Sequence, residues 1–420
     1  MDRVILHVDL NAFFASVEIV FNPHLSNVPL IVGGDPKKRH GIVLAKNEIA
    51  KKAGIKTGDT IWQAKQKING LVVVPPRRKE CAEFSKAARK IYESYTDCVE
   101  DFGIDECWLD VTGSIKLFGS GKQIADEIRK RLKDELKLTA SVGVSYNKIF
   151  AKLGSDYKKP DATTAITREN FKSILWKLPA REMFMIGRKT AEKLARCGIL
   201  TIGDVAQSGK DFLKSMFGKH GETLYKYANG LDDEPVKKSY YFDLPKSVGN
   251  STTTKRDLVC YQDARLVFIA LAENVAVRLR NQRLRGSVVS IGVRSSETLK
   301  WESFQHKLLQ ATDLASDIGA AAVKIFNERV SLPFSFRTLA LSVSGIVQVE
   351  CESRQECFLF DEEDVKHDNI AKIESALDEL NSKFGKGTVR VGVFGLDEDL
   401  MGDVKLGSLI DDKGNIDLDE

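Results

Sequence analysis

Three carboxylates stand where strand-like segments would have to bury them. Val4-Ile-Leu-His-Val-Asp9-Leu-Asn-Ala-Phe-Phe14 delivers one acid inside a β-branched run and then two aromatic rings. Ninety-six residues after Asp9, Phe102-Gly-Ile-Asp105-Glu106-Cys-Trp-Leu-Asp110 sets two adjacent acids in a second run of the same kind. Carboxylates among apolar strand residues are costly to desolvate unless a cation or strong donors compensate them. Three hard oxygen ligands brought together from separate strands suit Mg²⁺, which takes carboxylates, water and substrate phosphates. Such a set is the working part of a two-metal phosphoryl-transfer site.

A chain of 420 residues exceeds one ordinary core, so about two to four domains must position these acids. Apolar residues at 43% and charged residues at 29% are ordinary for a folded protein. No apolar run reaches about 18 residues, so neither a membrane span nor a secretory signal is expected. Seven cysteines form no CxxC pair, which predicts reduced thiols in the cytoplasm and neither zinc nor a disulfide framework. The net charge of +4 conceals an asymmetry: residues 350–420 hold 8 Lys/Arg against 20 Asp/Glu, leaving a strongly basic body. A basic body suits a polyanionic substrate, and an acidic tail suits a linker or docking segment.

Residues 1–165 alternate strand and helix patterns. Val4–Val8, Trp108–Val111 and Thr139–Val144 read as strands, and Lys122–Lys137 as a helix with Ile124, Ile128, Leu132 and Leu136 on one face. Helices packed on one side of a sheet indicate an α+β domain. A helix start is expected near Asn47. Residues 166–233 read as wholly helical, with Met185-Ile-Gly187-Arg-Lys189 leading into a helix that ends at Gly198. That pattern is either a helix-hairpin-helix facing DNA phosphate, with Met185 where a glycine is usual, or an ordinary helical hairpin. A polar connector follows, and then a strand-helix-strand-strand-helix-strand rhythm over 244–349. There Arg278, Arg280, Arg283 and Arg285 cluster where the first helix ends. They either complement its dipole or, as four cations favour, contact phosphate.

With Asp9, Asp105 and Glu106 placed together, the chain resembles a Y-family, lesion-bypass DNA polymerase over roughly residues 1–350. The resemblance implies an α+β multidomain fold shaped as a right hand. The palm would be 1–10 and 77–165, the fingers 11–76, a helix-hairpin-helix thumb 166–233, a linker 234–243 and a βαββαβ little finger 244–349. It implies template-directed synthesis past damaged bases, at low fidelity, on primer-template DNA with dNTPs. Two Mg²⁺ ions would be held by Asp9, Asp105, Glu106 and the Leu10 carbonyl, with Glu106 alternatively a supporting acid. Phe14 would be the steric gate against ribose, and Phe13 would lie under the sugar. Lys159, in Ser145-Tyr-Asn-Lys148-Ile-Phe-Ala-Lys152-Leu-Gly-Ser-Asp156-Tyr-Lys-Lys159-Pro160, would contact phosphate, as would Lys51.

The fingers segment departs from the family pattern at Ala45, Glu48 and Lys51, where Thr, Tyr and Arg are usual. Lysine keeps the charge of arginine and loses its bidentate geometry. DNA contacts are expected from Gly187, Lys189, Lys246 and the four arginines. In the acidic tail, Gln355, Phe358, Leu359 and Phe360 resemble a peptide that docks on a sliding clamp, the alternative being an ordinary linker strand. Ile370–Phe384 is amphipathic, either an accessory element or a segment that orders on binding. A monomer is expected. The competing functions are another palm-fold nucleotidyltransferase or cyclase, and a catalytically idle DNA- and clamp-binding relative.

Overall fold

The computed structural model describes residues 2–35, 41–241, 243–349, 362–385, 388, 389, 392 and 400. The clamp-like peptide Gln355–Phe360 therefore lies outside the described residues. The described chain forms two compact units, meeting in sequence near residue 242.

In the first unit the order is β1 (Ile5–Leu10), α1 (Phe13–Phe21), β2 (Leu30–Gly33), β3 (Val43–Lys46), α2 (Glu48–Lys52), α3 (Ile61–Lys67) and β4 (Val72–Val74). Next come α4 (Arg78–Glu93), β5 (Val99–Asp101), β6 (Glu106–Asp110), α5 (Ile115–Phe118), α6 (Gly121–Leu136), β7 (Ala140–Ser145), α7 (Lys148–Tyr157) and β8 (Thr163–Ala165). A helical stretch closes the unit: α8 (Phe171–Ile174), α9 (Arg188–Arg196), α10 (Ile202–Gln207), α11 (Lys210–Phe217) and α12 (Lys219–Ala228).

Two sheets organise this unit. The larger has the order β5-β6-β1-β7-β8, with β1 central and antiparallel to both β6 and β7. Every residue of β1 is buried, as in a strand covered on two faces; one parity is wholly apolar, and the other carries His7 and Asp9 beside Ile5. This corrects the one-sided packing expected from sequence. A Cβ on Gly121 of α6 would meet Val4 and Leu6, whereas Ala151 of α7 packs with Ile5 and Trp108. The two helices thus cover opposite faces of β1.

Helix α7 comes unusually close to the sheet. A Cβ on Gly143 of β7 would lie 1.8 Å from the Ala151 carbonyl oxygen and 2.5 Å from the Ser155 nitrogen. Gly154 completes the approach, its own Cβ position being 3.1 Å from the Gly143 Cα. Only glycine at 143 admits the helix backbone there.

The smaller sheet, β3-β2-β4, is fastened by Asn47. Its side chain caps α2 through the Ala50 N–H at 3.0 Å, accepts from the Leu30 N–H and donates to the Val28 carbonyl. Beyond α12, the expected linker is partly seated on the first unit. Lys148 donates to Glu100 at 2.8 Å and reaches Glu234 at 3.4 Å, while the Lys237 N–H donates to Glu100 at 2.9 Å. Val236 is buried against Ile5 and Trp108.

The second unit holds β9 (Ser247–Leu258), α13 (Tyr261–Asn281), β10 (Leu284–Ser295), β11 (Trp301–Thr312), α14 (Ala315–Arg329), β12 (Phe336–Gln348) and α15 (Glu362–Phe384). Its sheet, β11-β10-β12-β9, is antiparallel throughout. Val289, Ile291, Val293, Leu339, Leu341 and Val343 bury one face beneath α13 and α14. Alternate residues such as Ser290 and Ser342 occupy the other.

Part of the expected tail is a packed helix, and Arg280 explains why. Its guanidinium donates to Asp378 and Glu374 of α15, each at 2.6 Å, and to the Asp313 carbonyl. Glu374 in turn accepts the Ala315 and Ser316 N–H groups at the start of α14. An acid placed there offsets the positive end of α14.

Glu273 of α13 sits among these acids. Burial pushes its carboxyl up from 4.5 to about 7; Glu374 adds to the rise, Arg280 opposes it and Asp378 reinforces it. Folded Glu273 keeps its proton to higher pH than the unfolded chain does, so folded protein binds more protons between about pH 4.5 and 7. Its stability contribution therefore declines as pH rises through that window and stays low above it. Glu273→Gln should stabilise the protein at pH 8 by about 1–3 kcal/mol and have little effect at pH 5. Thermal melts at both pH values check this, and an equal effect at both would exclude a charged Glu273 as the cause.

Candidate active site

Strand β1 carries the first acid, Asp9, buried near its C-terminal end. Side chains two apart share a strand face, so His7 and Asp9 point the same way. Pairing sets Asp9 opposite Glu106 and His7 opposite Trp108. The Leu10 N–H donates to the Asp105 carbonyl at 3.0 Å, which fixes the third acid at the same end of the sheet. The chain then turns at Ala12, in the left-handed region at φ 49°, and α1 begins with Phe13.

Helix α7 supplies the opposing charge. Lys148, Lys152 and Ser155 recur at helical spacing along it, and Lys159 follows just past its end. Lys152 ion-pairs with Glu106 through Oε2. Lys159 donates to Asp9 Oδ2 at 2.5 Å and pairs with Asp156 at 2.7 Å. Beneath them lies an aromatic floor. Trp108 faces His7 at 5.1 Å and Phe102 at 4.9 Å, and the Lys148 and Lys152 ammonium groups each sit 4.8 Å from a ring of this floor.

The acids are unequal. Burial pushes the Asp9 carboxyl up to about 7; Lys159 opposes that rise, and the Glu106 and Asp105 charges add to it. Asp105 is raised to about 6, by burial first and then by Glu106. Glu106 lies below the ordinary range: burial opposes its charge, yet His7 and Lys152 together outweigh burial. Burial also holds His7 below the usual imidazole value, with the Glu106 contact opposing that fall.

Among the described residues no group of three or more His, Cys, Asp or Glu stands ready-made to hold a metal ion. Two of the three candidate ligands are instead turned to lysines. The donor chemistry nevertheless fits a hard divalent cation: three carboxylates, two of them partnered by ammonium groups and two with raised affinity for a proton.

The remaining expected residues fall into separate places. Phe13 is buried at 2% exposure and meets half-buried Phe14 edge-on, with ring centroids 5.8 Å apart. Lys51 is exposed and paired with Glu48 at 3.2 Å, so Glu48 is turned onto its own helix. Such surface pairs contribute about 0–1 kcal/mol. Gly187 is the N-cap of α9, and Lys189 lies in its first turn. Met185 adopts φ 71°, the left-handed geometry of the glycine it replaces.

Lys246 is exposed just before β9. Of the four arginines, Arg280 does not face solvent as a phosphate contact would: it is 15% exposed and held by α15. Arg278 donates to the Gly249 carbonyl and Arg285 to Asp313, while Arg283 is exposed at φ 52°. Arg280 and Arg285 are thus claimed by acids that a local reading does not bring near them.

Sequence pattern alone does not single out His7 as part of the site. Its spacing of two before Asp9 was the available signal. Lys148 was likewise seen only as part of a motif, its partners Glu100 and Glu234 being 48 and 86 residues away.

Comparison with known proteins supplies independent findings. A model of the impB/mucB/samB family matches residues 8–156, that family's C-terminal domain matches 245–356, and a DNA polymerase-iota thumb domain matches 185–232. A DNA polymerase IV of Acetivibrio thermocellus is 45% identical over 393 residues, covering 94% of this chain and 98% of that protein. A DNA polymerase IV of Clostridium acetobutylicum is 34% identical over 93% of this chain and 97% of its own length. A DNA polymerase IV 2 of Bacillus subtilis is 38% identical over 77% and 80%. Among solved structures, a Y-family DNA polymerase chimera of Dbh and Dpo4 superposes with a TM-score of 0.73 at 25% identity. That match covers 82% of this chain and 99% of the other.

Proposed function

Because the chain belongs to the Y family of DNA polymerases, and is a DNA-directed DNA polymerase acting on primer-template DNA and dNTPs, we propose that it copies damaged template at low fidelity. We assign Asp9, Asp105, Glu106 and the Leu10 carbonyl to two Mg²⁺ ions. The observation that carries this reading is the pairing of Asp9 with Glu106 across β1 and β6, each already matched to a lysine cation. Bound divalent cations would neutralise the triphosphate and lower the pKa of the primer hydroxyl. Lys159, held beside Asp9, is the cation placed to receive a phosphate oxygen. Lys51 could add charge only by leaving Glu48.

The domain reading assigns 1–10 and 77–165 to the palm, 11–76 to the fingers, 166–233 to the thumb and 244–349 to the little finger. Gly187, Lys189, Lys246, Arg278, Arg283 and Arg285 are proposed DNA contacts. A monomer working in the cytoplasm is part of the same reading, which sedimentation and cell fractionation would check.

Primer extension with Mg²⁺ on undamaged and abasic templates tests the assignment. Wild-type protein should extend both distributively, and Asp105→Ala or Glu106→Ala should lower the rate by at least about 10³-fold. Near-wild-type extension by both variants would remove these acids from the site.

Phe14 follows directly on the acid-bearing strand, which motivates its role as the sugar gate. Phe14→Ala should admit ribonucleotides, read as a fall of about 10-fold or more in the dNTP-over-NTP ratio of kcat/KM. An unchanged ratio would place the gate elsewhere.

Clamp docking is proposed for Gln355, Phe358, Leu359 and Phe360. Deleting residues 355–360 should abolish stimulation by a sliding clamp while basal extension persists. Equal stimulation after deletion would dismiss this role.

A further inference from the structure

The buried imidazole of His7 has one nitrogen aimed at the candidate site. Its ring is wholly buried, and Nε2 lies 3.2 Å from Glu106 Oε2 without a well-aligned hydrogen bond. Nδ1 lies 2.8 Å from the Ser155 hydroxyl on α7. On its other side the ring is set against Trp108, its register partner on β6. Ring orientation is therefore determined from three directions, unlike that of a flexible lysine.

Both neighbours of Glu106 converge on one oxygen. Lys152 and His7 each approach Oε2, and among the described residues no hydrogen bond falls on Oε1. We propose that His7 is a positioning residue for Glu106, presenting Nε2–H to Oε2 so that Oε1 is left to face a divalent cation. In that arrangement Nδ1 accepts the Ser155 O–H, which otherwise donates to the Lys152 carbonyl at 2.7 Å. The opposite tautomer would set an imidazole lone pair against the Glu106 carboxylate at 3.2 Å, with the ring wholly buried. Ser155, His7 and Glu106 thus form a relay from α7 to the acid edge of the sheet. This proposal rests on the reading of Glu106 as a metal ligand.

Partners that orient a metal ligand typically matter by about 10–100-fold in metal affinity or activity. The test compares wild type with His7→Phe, His7→Gln and Ser155→Ala as full-length chains bound to primer-template. Mn²⁺ affinity is read by electron paramagnetic resonance, and the half-saturating Mg²⁺ concentration by primer extension. His7→Phe keeps the ring packing and loses the N–H; it should weaken Mn²⁺ binding about 10-fold or more. His7→Gln, which retains a donor, should recover most of that loss, and Ser155→Ala should show a smaller weakening. Wild-type Mn²⁺ affinity in His7→Phe, or equal impairment in His7→Phe and His7→Gln, would overturn the proposal. Should His7→Phe fail to fold, wild-type affinity in Ser155→Ala would overturn the relay instead. Glu106→Ala separates the layers, because unchanged Mn²⁺ binding there would sink the metal-site reading itself.

Discussion

The close approach of α7 to β7 at Gly143 is the constraint on which the site depends. Any side chain at that position would collide with the Ala151 carbonyl, and no rotamer relieves a clash between a Cβ and backbone. With the helix seated so near, Lys148, Lys152 and Ser155 reach β1 and β6 at hydrogen-bond distance. A looser helix would leave the same residues too far away to serve the acids. Backbone packing thereby becomes electrostatics: a missing methyl group on β7 decides how the charges on the neighbouring strands are matched.

Those charges could not otherwise be buried together. Burial raises Asp9 and Asp105 even with lysines beside them, and Glu106 stays charged through contacts that come from α7 and β1. The lysines offset the charge of the acids and so let them be buried together. A rigid cage of three unpaired acids would be far more expensive to assemble.

Much of this was legible in the sequence, for definite reasons. Acids interrupting β-branched runs, the helix start at Asn47 and the alternating rhythm of 244–349 are local signals, each contained in a few residues. Long-range partners were not legible. Arg280 reads as a surface cation until Glu374 and Asp378 are brought to it from about 95 residues away. Likewise, the cover of β1 on both faces rests on partners far away in sequence, Ser155 for His7 and Lys159 for Asp9. Met185 shows a third kind of limit: the backbone keeps a glycine geometry that the residue type conceals. For a non-glycine residue that conformation costs about 1–2 kcal/mol.

The distribution of cations also bears on the departures at Glu48 and Lys51, in the segment proposed as fingers. Lys51 is held by Glu48 at a solvated surface, where screening leaves either charge little reach. Lys159 and Lys152 are less exposed, so their charges act through a lower effective dielectric and carry further. A triphosphate arriving at the acid edge would feel the α7 side of the sheet more strongly than α2. Weakening the fingers' contribution then costs little, provided that α7 holds its register over Gly143. On this view the changes at 48 and 51, two of the three departures in that segment, weigh less than Lys152 on α7 and Lys159 just past its end, on the helix that the glycine contact fixes in place.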